Sequence, residues 1–365
     1  MPYKAPVGSW FVPGTDAPQR TTDTTICVAA PATPGAAYAE LRRAIIAAGL
    51  LERAYGYYLV RALICGALLG FGLAIAFVLP PTAVCSTLAA IVLGFASVQI
   101  GLIGHDAGHL AVFRSARANW RFGQLCWSLT IGIGFWYWRD RHNRHHAHTN
   151  DTQDDPEFAG SGIIAFTEED AASRRGWRRV VARYQSLLSP LLLVFVLFLA
   201  LALRVESWSY TLRQLRGHRR RIEVVLLVIN ALAWAAPYAT LGLRWLAIFA
   251  GSQFVAGLYF ALIVAPNHKG MPVWAKDVRL SFLERQVLSS RNITAHPVWD
   301  FLYGGLNYQI EHHLFPTMPR AHYRRARDVI KPFCRTHGLD YEEQDPLASY
   351  RMVLAELRRV GSAAA

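Results

Sequence analysis

The sequence has few cysteines for its length, and they are scattered. Five cysteines occur among 365 residues, none in a Cys-x-x-Cys pair, and Cys65 and Cys85 stand inside apolar runs. This usage excludes a small disulfide-stapled scaffold and offers no thiolate site for structural zinc. We therefore expect reduced, structural thiols in a protein that faces the cytoplasm.

Charged side chains are absent from residues 62–104. This stretch is broken by a Pro-Pro pair at 80–81, and it is long enough for two spanning helices at roughly 20 residues per crossing. A second uncharged pair of segments is divided by Arg244. The sequence therefore predicts an all-α integral membrane protein with four transmembrane helices. Their expected positions are about 62–80, 82–104, 224–243 and 245–266.

Acidic residues are also scarce, 25 against 38 lysines and arginines, which gives a formal net charge of +13. No recognisable nucleic-acid-binding module accompanies the basic residues, and this argues against a nucleic-acid partner. A basic face instead suits anionic lipid head groups, acidic electron-transfer proteins or phosphate-bearing substrates.

Histidine, by contrast, is concentrated at the ends of the apolar runs. Seven of the 13 histidines form what we call the first cluster (105–109, HDAGH), the second cluster (142–146, HNRHH) and the third cluster (309–313, QIEHH). Residues spaced i, i+3 and i+4 project from one face of a helix. Because imidazole is the commonest protein ligand for redox transition metals, the clusters predict a metal-dependent membrane enzyme.

Zinc binding, metal transport and a purely structural role fit the clusters less well. Zinc is the competing metal, but no His-Glu-x-x-His helix occurs, and seven imidazoles are too many for one tetrahedral ion. Two irons, with open coordination positions for dioxygen, account for seven imidazoles better than one zinc ion does. A metal transporter predicts ligands within the spans, whereas 62–104 and 245–266 contain no His, Asp or Glu. A purely structural role for the histidines is the remaining alternative.

The predicted topology places all three clusters on the same side of the membrane, because a single metal centre requires it. Segments 122–138 and 187–203 are apolar, but if either alone crossed the membrane it would separate the clusters, so we expect both to be interfacial or re-entrant. Arginines concentrate in the loop 204–221, and the positive-inside rule predicts a cytoplasmic cap that carries the clusters. The membrane domain is expected at 36–350. A flexible cytoplasmic tail at 1–35 and a C-terminal tail at 351–365 are expected to flank it.

The three clusters resemble the histidine boxes of the membrane fatty acid desaturases. The likeness includes GGLNYQIEHHLFP at 304–316 and runs from about Tyr38 to Tyr350. With glutamine in its first position, the third cluster resembles the third histidine box of the front-end branch of this family. Members of that branch insert a double bond between an existing double bond and the carboxyl end of the acyl chain. Many front-end members carry a fused cytochrome b-type domain with a His-Pro-Gly-Gly signature. This sequence lacks that signature, and it looks like the stand-alone bacterial members.

The resemblance implies a non-haem di-iron centre, with dioxygen as co-substrate. Family members usually carry a further imidazole at the cytoplasmic end of the last span, where His268 lies; a loop histidine beside Lys269 is the alternative. The implied iron ligands are His105, His109, His142, His145, His146, His268, His312 and His313.

Gln309 is the candidate catalytic residue, since its amide could ligate iron, hold a water or line the substrate path. The outer ring nitrogens of ligating imidazoles need hydrogen-bond partners. The candidates close in sequence are Asp106, Asn150, Asp154, Asp155 and Glu311, each of which is equally consistent with a helix cap or a solvated charge.

The expected function is oxygen-dependent desaturation of a fatty acyl chain, carried on coenzyme A or in a lipid, to leave a cis double bond. Protein side chains cannot oxidise an unactivated methylene, so the metal centre must activate dioxygen. Electrons are expected from a separate protein, such as a ferredoxin or a cytochrome with its reductase. A related di-iron hydroxylase, acetylenase or other membrane lipid oxygenase is the closest alternative.

Overall fold

The computed structural model describes residues 35–158, 164–275 and 278–364, with the backbone alone at 188–200. The expected tail at 1–35 lies outside the described residues, apart from Gly35. In chain order the helices are α1 (Ala36–Ala47), α2 (Tyr55–Val78), α3 (Ala83–Gly108), α4 (Ala116–Gln124), a π-helix (Leu125–Ile131), α5 (Phe135–Ala147), α6 (Glu168–Ser173), α7 (Trp177–Arg213), α8 (Gly217–Ala235), α9 (Tyr238–Leu241), α10 (Leu243–His268), α11 (Phe282–Leu288), α12 (Pro297–Leu302), α13 (Gln309–Leu314), a 3₁₀-helix (Arg320–His322), α14 (Tyr323–Thr336) and α15 (Pro346–Ser362). Two short strands, β1 (Asn292–Ile293) and β2 (Glu343–Gln344), pair in parallel.

Four helical segments in the described part are long and apolar enough to cross a membrane, and they agree with the four expected spans. They are Tyr55–Val78, Ala83–Gly108, Gly217–Leu241 and Leu243–His268. The first begins before residue 62 because Arg61 is buried inside the bundle, where its guanidinium donates to Gln99 Oε1 at 2.5 Å. A paired arginine is tolerated within a span, so charge did not mark the end of this helix.

Segment 122–138, expected to be interfacial or re-entrant, contains the end of α4, the π-helix and the start of α5. α4 passes into the π-helix, which ends at Gly132 with φ 83°, and α5 begins at Phe135. A Cβ at Gly132 would lie 2.2 Å from Asn230 Oδ1, so both the backbone conformation and the close approach require glycine there. Segment 187–203 lies inside α7, a helix of 37 residues that extends well beyond the expected bounds.

Residues 351–365, expected as a tail, continue α15 as far as Ser362. Val360 is 1% exposed and belongs to a small apolar core with Ala182 of α7 and Ala165. Termini are ordered where they dock onto the body of a protein. The part of the expected tail that lies in α15 is therefore held against the body of the protein by contact with a distant helix.

Close packing of the spans brings the cluster-bearing ends together. α3 packs against both α2 and α10, and at Gly94 a Cβ would lie 2.6 Å from the carbonyl oxygen of Ser252. At the end of α3, a Cβ on Gly108 would lie 2.3 Å from the Trp138 ring of α5. The glycine within the first cluster therefore allows the second cluster's helix to pack directly against it.

Candidate metal centre

The three clusters lie on helix ends that converge. His105 is in the last turn of α3 and His109 caps that helix, while the second cluster occupies the last turns of α5. The third cluster opens α13, and His268 is the last residue of α10. The i, i+3, i+4 spacing thus corresponds to helical faces, as predicted.

The potential ligand atoms form overlapping groups, within each of which every pair of atoms lies within 4.8 Å. The first group joins the first cluster to the two later clusters, and the second includes His268. The groups are His105, His109, His142 and His312; His145, His268 and His313; and His146, His312 and His313. The structure therefore brings all eight expected ligands together.

The Nε2 atoms of these imidazoles approach one another closely. His105 Nε2 lies 3.0 Å from His142 Nε2, which in turn lies 3.2 Å from His146 Nε2. His145 Nε2 lies 3.3 Å from His268 Nε2. Two nitrogens bound to one metal at about 2.1 Å, the zinc–imidazole bond length, are about 3 Å apart when they subtend a right angle. The spacing therefore fits ligands that share a metal ion.

Two outer nitrogens are held by carboxylates that the sequence had suggested. His105 Nδ1 donates to Asp106 at 3.1 Å, and His145 Nδ1 donates to Asp155 at 2.9 Å. A proton on Nδ1 leaves the Nε2 lone pair free to bind a metal. Asp106 also forms a buried ion pair with Arg320 and accepts a hydrogen bond from Tyr58 at 2.7 Å.

Three other outer nitrogens have partners that were not expected from the sequence. His268 Nδ1 donates to the Ser289 carbonyl at 2.9 Å. His312 Nδ1 is hydrogen-bonded with the Tyr323 hydroxyl at 3.1 Å, and His313 Nδ1 donates to Gln286 Oε1 at 2.8 Å. These partners are neutral and come from other helices or loops, so no local sequence pattern marked them.

Two of the suggested partners, Asn150 and Glu311, are hydrogen-bonded to groups other than imidazoles. Glu311 accepts hydrogen bonds from Asn292 Nδ2 and the Tyr341 hydroxyl, each at 2.7 Å. Burial raises the Glu311 pKa to about 7, although these hydrogen bonds oppose the rise. Asn150 supports Asp155 through its backbone N–H at 2.9 Å, while Asp154 belongs to a separate acidic group with His148 and Asp151.

Gln309 is buried beside the histidines. Its Oε1 accepts from Asn267 Nδ2 at 3.0 Å, which directs its Nε2 toward His268 Nε2 at 2.8 Å. The amide thus faces the group that contains His268. Its nitrogen, rather than its carbonyl oxygen, makes this contact.

The interior of the cluster favours neutral imidazoles. Burial, reinforced by neighbouring imidazoles, lowers the pKa of His142, His146, His312 and His313 well below the ordinary value. Within the described part, the buried Nε2 atoms of His109, His312 and His313 have no hydrogen-bond partner. Unpaired buried acceptors are costly. A cation bound by these three Nε2 atoms would remove that cost. The imidazole nitrogens therefore fit a metal site.

Comparison with known protein families identifies the family to which this chain belongs. The model of the fatty acid desaturase family matches residues 79–344, which include all three clusters. The chain belongs to the fatty acid desaturase family. This agrees with the resemblance found in the sequence and with the four candidate spans.

Curated relatives in this family carry several activities. Fatty acid desaturase 3 of Bos taurus is 30% identical over 78% of this chain and 64% of its own length. A Delta(6)-fatty-acid desaturase of Caenorhabditis elegans is 28% identical over 88% of this chain and 74% of its own. A Delta 8-(E)-sphingolipid desaturase of Kluyveromyces lactis is 28% identical over 90% of this chain and 59% of its own. The match thus covers less than two thirds of the bovine and yeast relatives.

Proposed function

We propose that the chain is an oxygen-dependent fatty acyl desaturase that introduces a cis double bond by means of two irons held by the eight clustered histidines. One observation carries this proposal. Eight imidazoles from four helices converge, with Nε2 atoms approaching at 3.0–3.3 Å in three pairs and Nδ1 atoms hydrogen-bonded outward in five residues. Hydrogen-bonded clusters without a metal would not need so many acceptors facing one another.

The overlapping groups support a division of the ligands between two ions. His105, His109 and His142 would hold one ion, His145 and His268 the other, and the remaining imidazoles lie between or beside them. With dioxygen, the bound irons supply the oxidant that an unactivated methylene requires. The protein's own residues hold the ligands in place and keep the centre dry.

An aromatic wall would exclude water on one side of the centre. The Trp138 ring stacks on His142 with centroids 4.8 Å apart, and Trp127 stacks on Trp138 at 4.6 Å. A dry, low-dielectric surrounding protects a reactive oxidant from side reactions. The acyl chain would be positioned against this wall by contact with apolar side chains, which provides the orientation that the reaction needs.

We infer front-end regiochemistry, since Gln309 gives the third cluster its resemblance to the front-end branch and one relative is a Delta(6)-fatty-acid desaturase. The sphingolipid desaturase from yeast is similar over an equally large part of this chain. The acyl carrier in the proposal is therefore either coenzyme A or a membrane lipid.

We further infer that the clusters face the cytoplasm and receive electrons from a separate ferredoxin or cytochrome with its reductase. The arginine-rich start of α8 lies beside the helix of the second cluster, since the Arg219 guanidinium is 4.5 Å from the Trp136 ring centroid. The positive-inside rule assigns that side to the cytoplasm. An acidic electron donor suits the same basic surface.

Expression in a host that lacks polyunsaturated lipids tests the proposed reaction. Mass spectrometry of fatty acids, with and without fed precursors, should find products two hydrogens lighter than the precursor. Addition of an oxygen atom instead would favour the related hydroxylase.

Iron analysis tests the ligand assignment separately. Purified protein should contain about two irons, and His145→Ala or His312→Ala should lose iron and activity while inserting normally in the membrane. His148→Ala is the matched control, because His148 lies near the same helix end but outside the eight-histidine groups. Full activity without bound iron would refute the proposal.

A further inference from the structure

A second polar feature lies within the membrane-spanning part, away from the histidines. An open cavity of about 320 Å³ is lined by residues of α7, α8 and α10 and by Gly132, and none of the eight clustered histidines lines it. Its walls include the aromatic rings of Trp208, Trp234 and Phe249, together with Arg204 and Asn230. This volume is at the lower end of the range for small-molecule sites, and an apolar wall with few polar groups is typical of such sites.

Arg204 brings a positive charge into this cavity without a carboxylate to neutralise it. Its guanidinium donates to Gln253 Oε1 at 2.5 Å and to the Ile131 carbonyl at 2.6 Å. Both acceptors are neutral, and no acidic side chain of the described part pairs with Arg204. An unneutralised cation among apolar groups is unfavourable unless an anion joins it.

The position of the cavity indicates where such an anion comes from. Gln253 and Asn230 stand near the middle of two candidate membrane-spanning segments, so Arg204, which the sequence placed at the start of the cytoplasmic loop 204–221, lies instead at the depth of those segments. The α8 side of the cavity includes Ala231 and Ala235, which are exposed. The exposed face of a spanning helix is in contact with lipid, and entry from the membrane is therefore direct.

We propose that this cavity binds the oxyanion of an acyl lipid, with Arg204 as its counter-ion and the acyl chain along α8. Guanidinium binds carboxylate and phosphate through charge-assisted hydrogen bonds. The source is a fatty acid carboxylate or the phosphate of an anionic phospholipid. The site is independent of the proposed iron chemistry, and its occupancy is measurable on protein without iron.

Native mass spectrometry of the purified protein provides the test, with oleate, phosphatidylglycerol, phosphatidylcholine and methyl oleate as probes. Arg204→Gln should weaken binding of the anionic probe about tenfold or more, since it removes one charged hydrogen-bond partner. Arg204→Lys should retain most of the binding. The matched control is Arg213→Gln, an exposed arginine on the same helix, which should bind like the unmodified protein.

A cavity-filling variant keeps the test decisive if Arg204→Gln folds poorly. Ala231→Phe leaves the charge in place but occupies the cavity, so it should abolish binding and also the photolabelling of α8 by a diazirine-bearing lipid. Preference for oleate would identify a carboxylate site, and preference for phosphatidylglycerol a phosphate site. Equal binding of methyl oleate and oleate, or unchanged binding in Ala231→Phe, would overturn the proposal.

Discussion

Carboxylates anchor imidazoles of the first and second clusters, whereas neutral groups anchor those of the third. Asp106 and Asp155 accept from His105 and His145. Tyr323 and Gln286, by contrast, contact the third cluster through a hydroxyl and an amide. Both arrangements fix the direction of the imidazole ring, but a charged carboxylate raises the basicity of the ligating nitrogen more than a neutral acceptor does.

This difference indicates two roles within one centre. Imidazoles backed by carboxylate donate more electron density to a metal and partly offset its positive charge. Imidazoles whose outer nitrogen is bonded to a neutral group are held in place, but they donate less electron density to the metal. We therefore expect the two halves to respond differently when their anchors are exchanged or when the pH falls.

The largest expected effect is a loss of stability in acid. The pKa values of buried His142, His146, His312 and His313 lie well below 6.5 in the folded protein without metal. Below about pH 6.5 the unfolded chain therefore binds more protons than the folded chain, so stability falls as pH falls. Each imidazole that stays neutral contributes about 1.4 kcal/mol per pH unit, up to the limit set by its folded pKa.

Thermal unfolding of the iron-free protein between pH 7.5 and 5.5 measures this effect. Gln286→Glu sharpens the comparison, because it places a carboxylate beside His313 and so stabilises that imidazole in its charged form. The variant should lose less stability on acidification than the unmodified protein. A melting temperature that stays constant or rises toward pH 5.5 would contradict the expectation.

Removing a carboxylate from the first cluster is expected to have the next largest effect. In Asp106→Asn the buried guanidinium of Arg320 loses its charged partner, and breaking a buried pair in this way costs about 3–5 kcal/mol of unfolding free energy. Denaturant unfolding measures the loss. Asp328→Asn is the control, since the Asp328 side chain is 68% exposed in its ion pair with Arg327, and a surface pair contributes about 0–1 kcal/mol. Equal losses of unfolding free energy in the two variants would show that the buried Asp106–Arg320 pair stabilises the fold no more than an exposed pair does.

Iron affinity compares the two kinds of anchor directly. Asp155→Asn should weaken iron binding by about 10–100-fold, because the charge behind His145 is lost. Gln286→Leu removes the neutral acceptor behind His313 together with the hydrogen bonds of Gln286 to Thr149 and to the His146 carbonyl, and no charge is lost. We expect a loss of about tenfold or less. Competition with a chelator gives both affinities. A larger loss in Gln286→Leu than in Asp155→Asn would reverse the proposed roles of the two halves.

The sequence allowed prediction of those features that depend on local spacing or long apolar runs. The clusters lie on helices because i, i+3 and i+4 residues share a face, and four candidate spans were found because lipid requires long uncharged segments. His268 was found only through the family resemblance. Asp106 and Asp155 were found because they are acidic and close to histidines in sequence.

Features that depend on tertiary contacts were missed. Gln286 is 27 residues from His313 and belongs to a different helix, so spacing could not reveal their contact. Glu311 lies next to His312, yet it points toward Asn292 and Tyr341. Adjacent residues on a helix point about 100° apart, so proximity in sequence is poor evidence that two side chains meet.

The smallest effect on iron is expected at Gln309, where the third cluster has an amide in the position that His142 occupies in the second. Gln309 contacts His268 and Asn267 through its two amide atoms. We predict that Gln309→His retains iron but changes the rate or the double-bond position, because imidazole keeps a polar atom at this point. Gln309→Ile should also keep most of its iron and yet lose most turnover. Isoleucine supplies neither donor nor acceptor, so it leaves the Asn267 amide unpaired beside the centre.

Iron content and fatty acid products are measured on the same preparations. If Gln309→Ile matches the unmodified protein in rate and product, the glutamine serves packing alone and the departure of the third cluster from three histidines has no catalytic meaning.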